Sequence, residues 1–307
     1  MSFELFLETI RDPAADLSMS EFHEVSDLSP EELGQFAKSW LPLPPERQRE
    51  IVATMVELAE QNAELDFTAV FKLCLKVSDE EILEIAIDGL WEHEDRSIIA
   101  GLVGVLSSDK SSKVRAAAAL ALGKFPVLAQ EGKLLAKDGE LIHQSLMGVL
   151  DDEDEEMDVR RRCLESVAPF NTDAIQQFVE WAYTSEDQDL KSSSIFAMGR
   201  TGETRWLPTL IRELESSDPI VRYETAHACG ELGEEDAILH LIPLLQDDDH
   251  QVQLASIAAL GKIGGGLAKR VLVNCVKEGD AALEDAAKAE LENIELMEDP
   301  LGFSSQV

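Results

Sequence analysis

Apolar positions recur along this chain at helical spacing, and the stripes they form recur in turn. The segments beginning at Asp218 (DPIVRYETAHACGELG) and Asp249 (DHQVQLASIAALGKIG) align, which places Val221 and Val252 31 residues apart. Stepping by 31 in both directions reaches Leu190, Leu283 and Val159. Upstream, the next match to Val159 is Val114, 45 residues earlier, so about 14 additional residues lie between them. Steps of 32 and 31 then reach Ile82 and Ile51. All eight anchors are aliphatic. Four residues after each stand Met55, Ala86, Ala118, Cys163, Ser194, Thr225, Ser256 and Ala287. Eight residues after stand Ala59, Leu90, Leu122, Val167, Met198, Cys229, Leu260 and Leu291. Positions i, i+4 and i+8 lie on one face of an α-helix, so each anchor predicts an amphipathic helix.

The flanking columns support the same helices. Three residues before the anchors are Gln48, Asp79, Ser111, Glu156, Asp187, Asp218, Asp249 and Asp280. Asp and Ser accept hydrogen bonds from the free amide groups of a helix start and predict N-caps. Gly123, Gly199, Gly230 and Gly261 follow the apolar stripe and predict left-handed helix closures. Between these helices lies a second set, at Ile98–Leu106, Leu207–Leu214, Ile238–Leu245 and Ala268–Val276. Neither helix of a pair can bury its apolar stripe alone, and stacking successive pairs buries both. The expected fold is all-α, a right-handed α-solenoid of about eight antiparallel helix pairs. Residues 1–29, with Phe3, Phe6, Leu7, Ile10 and Phe22, are expected to form an N-terminal helical cap. The repeats are expected over 30–294 with an insertion at 125–138, and 295–307 reads as an acidic, disordered tail.

The segment from Asp218 to Gly233 resembles the short HEAT-like repeat shared by phycobilisome-lyase-type and related proteins. The residues that carry the likeness are Asp218-Pro219, Val221-Arg222 and the small-residue run Ala226 to Gly233. The likeness extends over about residues 95–294 and thins over 30–94. It implies a HEAT-repeat fold, and it implies little about function, because that repeat serves many unrelated tasks. The functional alternative that it brings is a phycobilin-lyase-like enzyme or chaperone holding a tetrapyrrole in its groove.

Charge narrows the partners. The chain carries 61 acidic and 26 basic residues among 307, a formal net charge of −35. Such a surface repels phosphate backbones and anionic membranes, and it steers basic partners towards it. The expected partner is a protein or peptide, with no nucleic acid and no membrane. The four cysteines, Cys74, Cys163, Cys229 and Cys275, fall at apolar helical positions outside any CxxC spacing, which suits buried thiols in a cytoplasmic protein.

No catalytic constellation emerges. The chain lacks a GxGxxG or GxxxxGK[ST] phosphate loop and a GxSxG elbow. HEAT-like deoxyhypusine hydroxylases resemble this chain in their repeat and carry His-Glu pairs after its Val-Arg to hold iron. The matching positions here are Ala116-Ala117, Arg161-Arg162, Ser192-Ser193, Tyr223-Glu224 and Leu254-Ala255, with one Glu and no His. No metal and no cofactor is therefore expected, and the chain reads as a non-enzymatic scaffold or adaptor. The acidic run Asp151–Glu156 reads as a solvated loop ahead of a helix. Arg115, Arg160, Lys191 and Arg222 share one column, one residue after the anchor, expected to pair with the Asp ladder of adjacent repeats. Trp206, beside Arg205, is expected to pack at a repeat edge.

The candidate binding stripe lies two and six residues after the anchors of repeats four to six, on the expected inner face. It comprises Arg161, Phe196, Tyr223 and His227, with Ser192 between them and Arg162 and Arg200 on the same helices. Aromatic and Arg side chains are the ones favoured in binding hot spots, and here they interrupt an acidic background.

Overall fold

The structure is a computed structural model that describes residues 2–12, 15, 17–108, 110–278 and 281–298. The chain divides into two compact units, Met1–Cys163 and Leu164–Val307. Both are built of α-helices joined by short turns, and no β-strand occurs among the described residues.

In the first unit, α1 (Phe3–Arg11) is followed by a 3₁₀ turn, Met19–Val25, whose Phe22 ring meets Phe6 edge-on at 5.3 Å. Next comes α2 (Pro30–Trp40), opened by a capping box in which the Ser29 amide donates to Glu32 Oε2 at 3.0 Å and the Glu32 amide donates to Ser29 Oγ. Beyond them run α3 (Pro45–Gln61), α4 (Thr68–Cys74), α5 (Glu80–Gly89), α6 (Ile99–Leu106) and α7 (Ser112–Leu122). Helix α4 packs on α5 and α6 on α7, while α3, α5 and α7 lie side by side. The residues expected as an insertion form α8 (Lys124–Gln130), with Phe125 buried, and a turn leading into α9 (Ala136–Asp151). Helix α10 (Met157–Val167) carries the boundary between the units.

The second unit continues with α11 (Asp173–Tyr183), α12 (Gln188–Arg200), α13 (Leu207–Glu213), α14 (Pro219–Leu232), α15 (Ile238–Leu241), α16 (His250–Ile263), α17 (Gly265–Glu278) and α18 (Ala281–Glu298). Helices α11–α12, α13–α14, α15–α16 and α17–α18 pair, and α12, α14, α16 and α18 stack in order. Stacked helix pairs of this kind are the α-solenoid architecture expected from the pattern.

The anchor columns form the core. Every anchor, from Ile51 to Leu283, is buried, and every residue four positions on, from Met55 to Ala287, is inaccessible to solvent. Of the residues eight positions on, only Ala59 and Leu291, in the first and last repeats, are half-buried. A repeat at either end of a stack has one neighbour instead of two, so its stripe is less fully covered.

Caps follow the predicted column where it holds Asp. Asp79, Asp187, Asp218 and Asp249 each accept a hydrogen bond from an amide of the first helical turn. Ser111 sits at the cap position without a side-chain bond. Gln48 is not a cap, because α3 starts earlier, at Pro45, and Gln48 Nε2 donates to the carbonyls of Trp40 and Leu41. Asp280 lies outside the described residues.

The expected left-handed closures are corrected. Gly123 has φ −62°, and Gly199, Gly230 and Gly261 lie inside helices. The left-handed residues come later and share the 31-residue period: Asn171, Gly202, Gly233 and Gly264, with φ of 49°, 68°, 74° and 67°. The helical glycines serve helix packing instead. A Cβ on Gly199 would lie 2.6 Å from Ala228 Cα, and one on Gly230 would lie 2.8 Å from Ala259 Cα. Helix α18 runs on to Glu298, past the expected end of the repeats at 294, and residues 299–307 of the expected tail lie outside the described residues.

Candidate functional site

Helices α12 and α14 lie against each other with their anchors inward, which brings the positions two, six and ten residues after each anchor to the rim, half-buried except for the exposed Glu231. Small residues on the buried side set that close approach, through the contact of Gly199 with Ala228. The rim therefore stands on closely packed helices.

On α12, the Arg200 guanidinium lies 5.6 Å from the centre of the Phe196 ring, in cation–π geometry. On α14, the His227 and Tyr223 rings meet edge-on at 4.6 Å. Phe196 and His227 are 31 residues apart and hold the same position in successive repeats. Four of the six expected binding residues thus form two aromatic-centred pairs on adjacent helices. The other two, Arg161 and Arg162, lie on α10 within the first unit; Arg161 Nη2 is 2.6 Å from Asp158 Oδ1, one turn away on its own helix.

The 31-residue step from Arg200 exposes a feature that the column-by-column reading missed. It leads to Glu231 on α14 and Lys262 on α16, a ladder of alternating sign. Lys262 Nζ pairs with the Glu231 carboxylate across the two helices. Burial pushes the Arg200 guanidinium below its ordinary value, against the pull of the Glu231 and Glu165 carboxylates. Burial likewise lowers the His227 imidazole, the Lys262 ammonium lowers it further, and Glu231 opposes both. Beneath the rim Glu165 is buried and accepts a hydrogen bond of 2.5 Å from Ser193 Oγ. The site is thus a mixed surface: two half-buried aromatic rings, a half-buried cation and the Glu231–Lys262 ion pair. It offers flat apolar contact and directed polar contact side by side.

The cation column behaves structurally, with one correction. Arg222 makes a two-pronged bond to Asp247, 2.7 Å on each arm, and donates to the Ser216 carbonyl at 2.8 Å. Lys191 Nζ lies 3.1 Å from Glu213 Oε2, and Arg115 Nη2 lies 2.5 Å from Glu155 Oε1. Arg160 donates to the Leu150 carbonyl at 2.9 Å. The acids are therefore loop and helix-end residues ahead of the next cap, not the cap residues themselves. Glu155 is one of the Asp151–Glu156 run, and its pairing makes that loop part of the packing. Trp206 is buried beneath the Arg205 guanidinium, 4.5 Å above its ring. Cys74, Cys163 and Cys229 are buried and Cys275 is half-buried; burial pushes the Cys229 thiol up to about 12.

Among the described residues, no group of three or more His, Cys, Asp or Glu side chains could hold a metal ion. None of their helices is long and apolar enough to cross a membrane.

The family model described as HEAT repeats matches residues 175–261 and 207–292, all within the second unit and covering helices α12, α14 and α16. No curated protein sequence matches the chain. Among solved structures, the chain is similar to one described as the Kap95:Nup1 complex, at 12% identity and a TM-score of 0.52, over 95% of this chain and 46% of the other. It is also similar to a complex of CpcE and CpcF of phycocyanin lyase from Nostoc sp., at 19% identity and a TM-score of 0.44, over 66% of this chain and 78% of the other. A third similar structure is human deoxyhypusine hydroxylase in complex with glycerol, at 16% identity and a TM-score of 0.38, covering 95% and 96%. At these identities the likeness concerns the fold.

Proposed function

We propose that this chain, whose residues 175–292 are HEAT repeats, is a non-enzymatic scaffold or adaptor that docks a protein or peptide partner on the α12–α14 face of the second unit. The observation that carries this reading is the pair of preassembled aromatic contacts there, Phe196 with Arg200 and Tyr223 with His227. Each ring is held by a neighbour on its own helix and is only half-buried. Rings fixed in advance lose little freedom on binding, and this is what lets a few side chains dominate an interface. In this reading Phe196 and Tyr223 supply apolar contact, and Arg200 receives a partner carboxylate. Arg200 is already stripped of much of its water, so an arriving acid meets a strengthened field.

The test is affinity capture of the tagged full chain from its native lysate, beside a Phe196→Ala/Tyr223→Ala variant. Helicity and melting temperature of the two proteins are compared by circular dichroism. A stoichiometric protein retained by the parent and lost by an equally folded variant supports the reading. A partner held equally by both places the interface elsewhere.

A further inference from the structure

A cleft of about 510 Å³ opens in the second unit between α13 and the 3₁₀ turn Ile242–Gln246 that follows α15. Its walls include Leu214, Leu239, Pro243 and Leu244, and its rim carries Glu215 and Asp248. It lies on the helices that pair with α14 and α16, away from the aromatic face proposed above as the docking site.

The repeat itself explains why this cleft is open. Thirty-one residues before Leu214, Pro243 and Leu244 stand Tyr183, Arg212 and Glu213. One junction earlier those three side chains bond to one another. Tyr183 Oη donates to the Glu213 carboxylate, and Arg212 Nη2 donates to Tyr183 Oη at 2.5 Å. The Arg212 guanidinium lies over the Tyr183 ring, 5.9 Å from its centre. At the later junction a Leu replaces the Tyr, and a Pro replaces the Arg that lay across it. The local cation there, Arg222, lines the cleft together with Asp247 and is held by its two bonds to that carboxylate. What remains is a mixed cleft in which the exposed Pro243 and Leu239, the latter 65% exposed, stand beside two exposed carboxylates. Among the described residues neither Glu215 nor Asp248 has an ion-pair partner.

We propose that this cleft takes an arginine side chain from an extended basic segment of a partner protein. The methylene stem lies along Leu239 and Pro243 and the guanidinium reaches Glu215 and Asp248. Arginine matches the site because a planar, weakly hydrated cation both stacks on apolar surface and bonds carboxylates in a directed way. The formal charge of −35 brings basic segments to the surface, and the cleft decides where one seats.

The probe is a fluorescein-labelled peptide of alternating Arg and Gly, with Lys-Gly and Gln-Gly peptides as comparisons, titrated by anisotropy against the full chain at physiological salt. Glu215→Gln/Asp248→Asn removes the rim charges. Pro243→Arg installs a resident arginine where Arg212 stands in the preceding repeat. Glu57→Gln/Glu60→Gln, on the exposed side of α3, removes the same charge elsewhere. The expected result is that the Arg peptide binds more tightly than the Lys and Gln peptides. Each cleft variant should weaken it about tenfold, and the α3 variant should leave it within about twofold. Equal loss in the cleft and α3 variants, unchanged binding by Pro243→Arg, or equal affinity for the Lys peptide would each overturn the proposal.

Discussion

Gly230 faces Ala259 so closely that a Cβ on the glycine would lie 2.8 Å from the alanine Cα. The same contact recurs 31 residues earlier, where Gly199 meets Ala228 at 2.6 Å. These pairs set the separation of α12 from α14 and of α14 from α16, and the rim above them inherits that spacing. Gly199→Ala is therefore expected to destabilise the fold by about 1–3 kcal/mol, the usual range for overpacking a filled contact. Gly104→Ala is the control. Gly104 is exposed in mid-helix with nothing within 4 Å of its would-be Cβ, so Ala should stabilise it by about 0.5–1 kcal/mol through reduced chain freedom. Urea denaturation midpoints of the two variants should move in opposite directions; a common direction would show that the close approach is not there.

The cap column predicts a second contrast. Asp187 accepts the Leu190 amide at 3.0 Å, so Asp187→Ala should cost about 1 kcal/mol. Ser111 occupies the equivalent place in α7 without such a bond. Its own amide donates to Glu80 Oε1 at 3.1 Å, a bond that survives substitution, so Ser111→Ala should leave the denaturation midpoint nearly unchanged.

Much of the fold was legible in the sequence because helix burial repeats locally. The columns from Ile51 to Leu283 and from Met55 to Ala287 needed only the helical period, and all sixteen positions are buried. The glycines were misread because a glycine that ends a helix and one that lets two helices touch leave the same trace in one chain. Only the packed partner, Ala228 or Ala259, tells them apart. Of the binding stripe, the Phe196–Arg200 and Tyr223–His227 pairs were legible as same-helix neighbours four apart. The Glu231–Lys262 bridge was not, because it joins two helices. The open cleft was hidden for a related reason: it is a deficit of volume at Leu214 and Pro243 relative to Tyr183 and Arg212, visible only when successive repeats are compared in space.

The Arg222–Asp247 pair should behave as a fixed element of the fold. Hydrogen bonding to Arg222 holds the Asp247 carboxyl below its ordinary value. A carboxylate stabilised in this way contributes stability above its unfolded pKa of about 4, lost as pH falls through the lower folded value. Asp247→Ala should cost roughly 1.5–3 kcal/mol at pH 6, in the range of a charge-assisted bond whose partner is left behind. The difference between variant and parent should narrow towards pH 3. The carbonyl of residue 247, which accepts from Gln253 Nε2 at 2.7 Å, is retained in the variant, so the loss measures the carboxylate. Chemical denaturation of both proteins at the two pH values checks this.

His227 gives the candidate face its own titration. Burial is the main cause of its lowered pKa; the Lys262 ammonium acts in the same direction, and the Glu231 carboxylate acts against them. The unfolded imidazole takes a proton near pH 6.5, while the folded ring resists until lower pH. Between those values the unfolded state binds more protons, so stability is fully present above about 6.5 and declines as pH falls towards the folded value. His227→Phe keeps a ring against Tyr223 and removes the titration. The parent should therefore lose more melting temperature than the variant between pH 7.5 and pH 5. An NMR titration of the imidazole protons, with His227 assigned by its absence from the variant, should place its midpoint below that of an exposed histidine. A midpoint at or above 6.5 would mean that water reaches the ring, and that Tyr223 and His227 are not the preassembled pair on which the docking face depends.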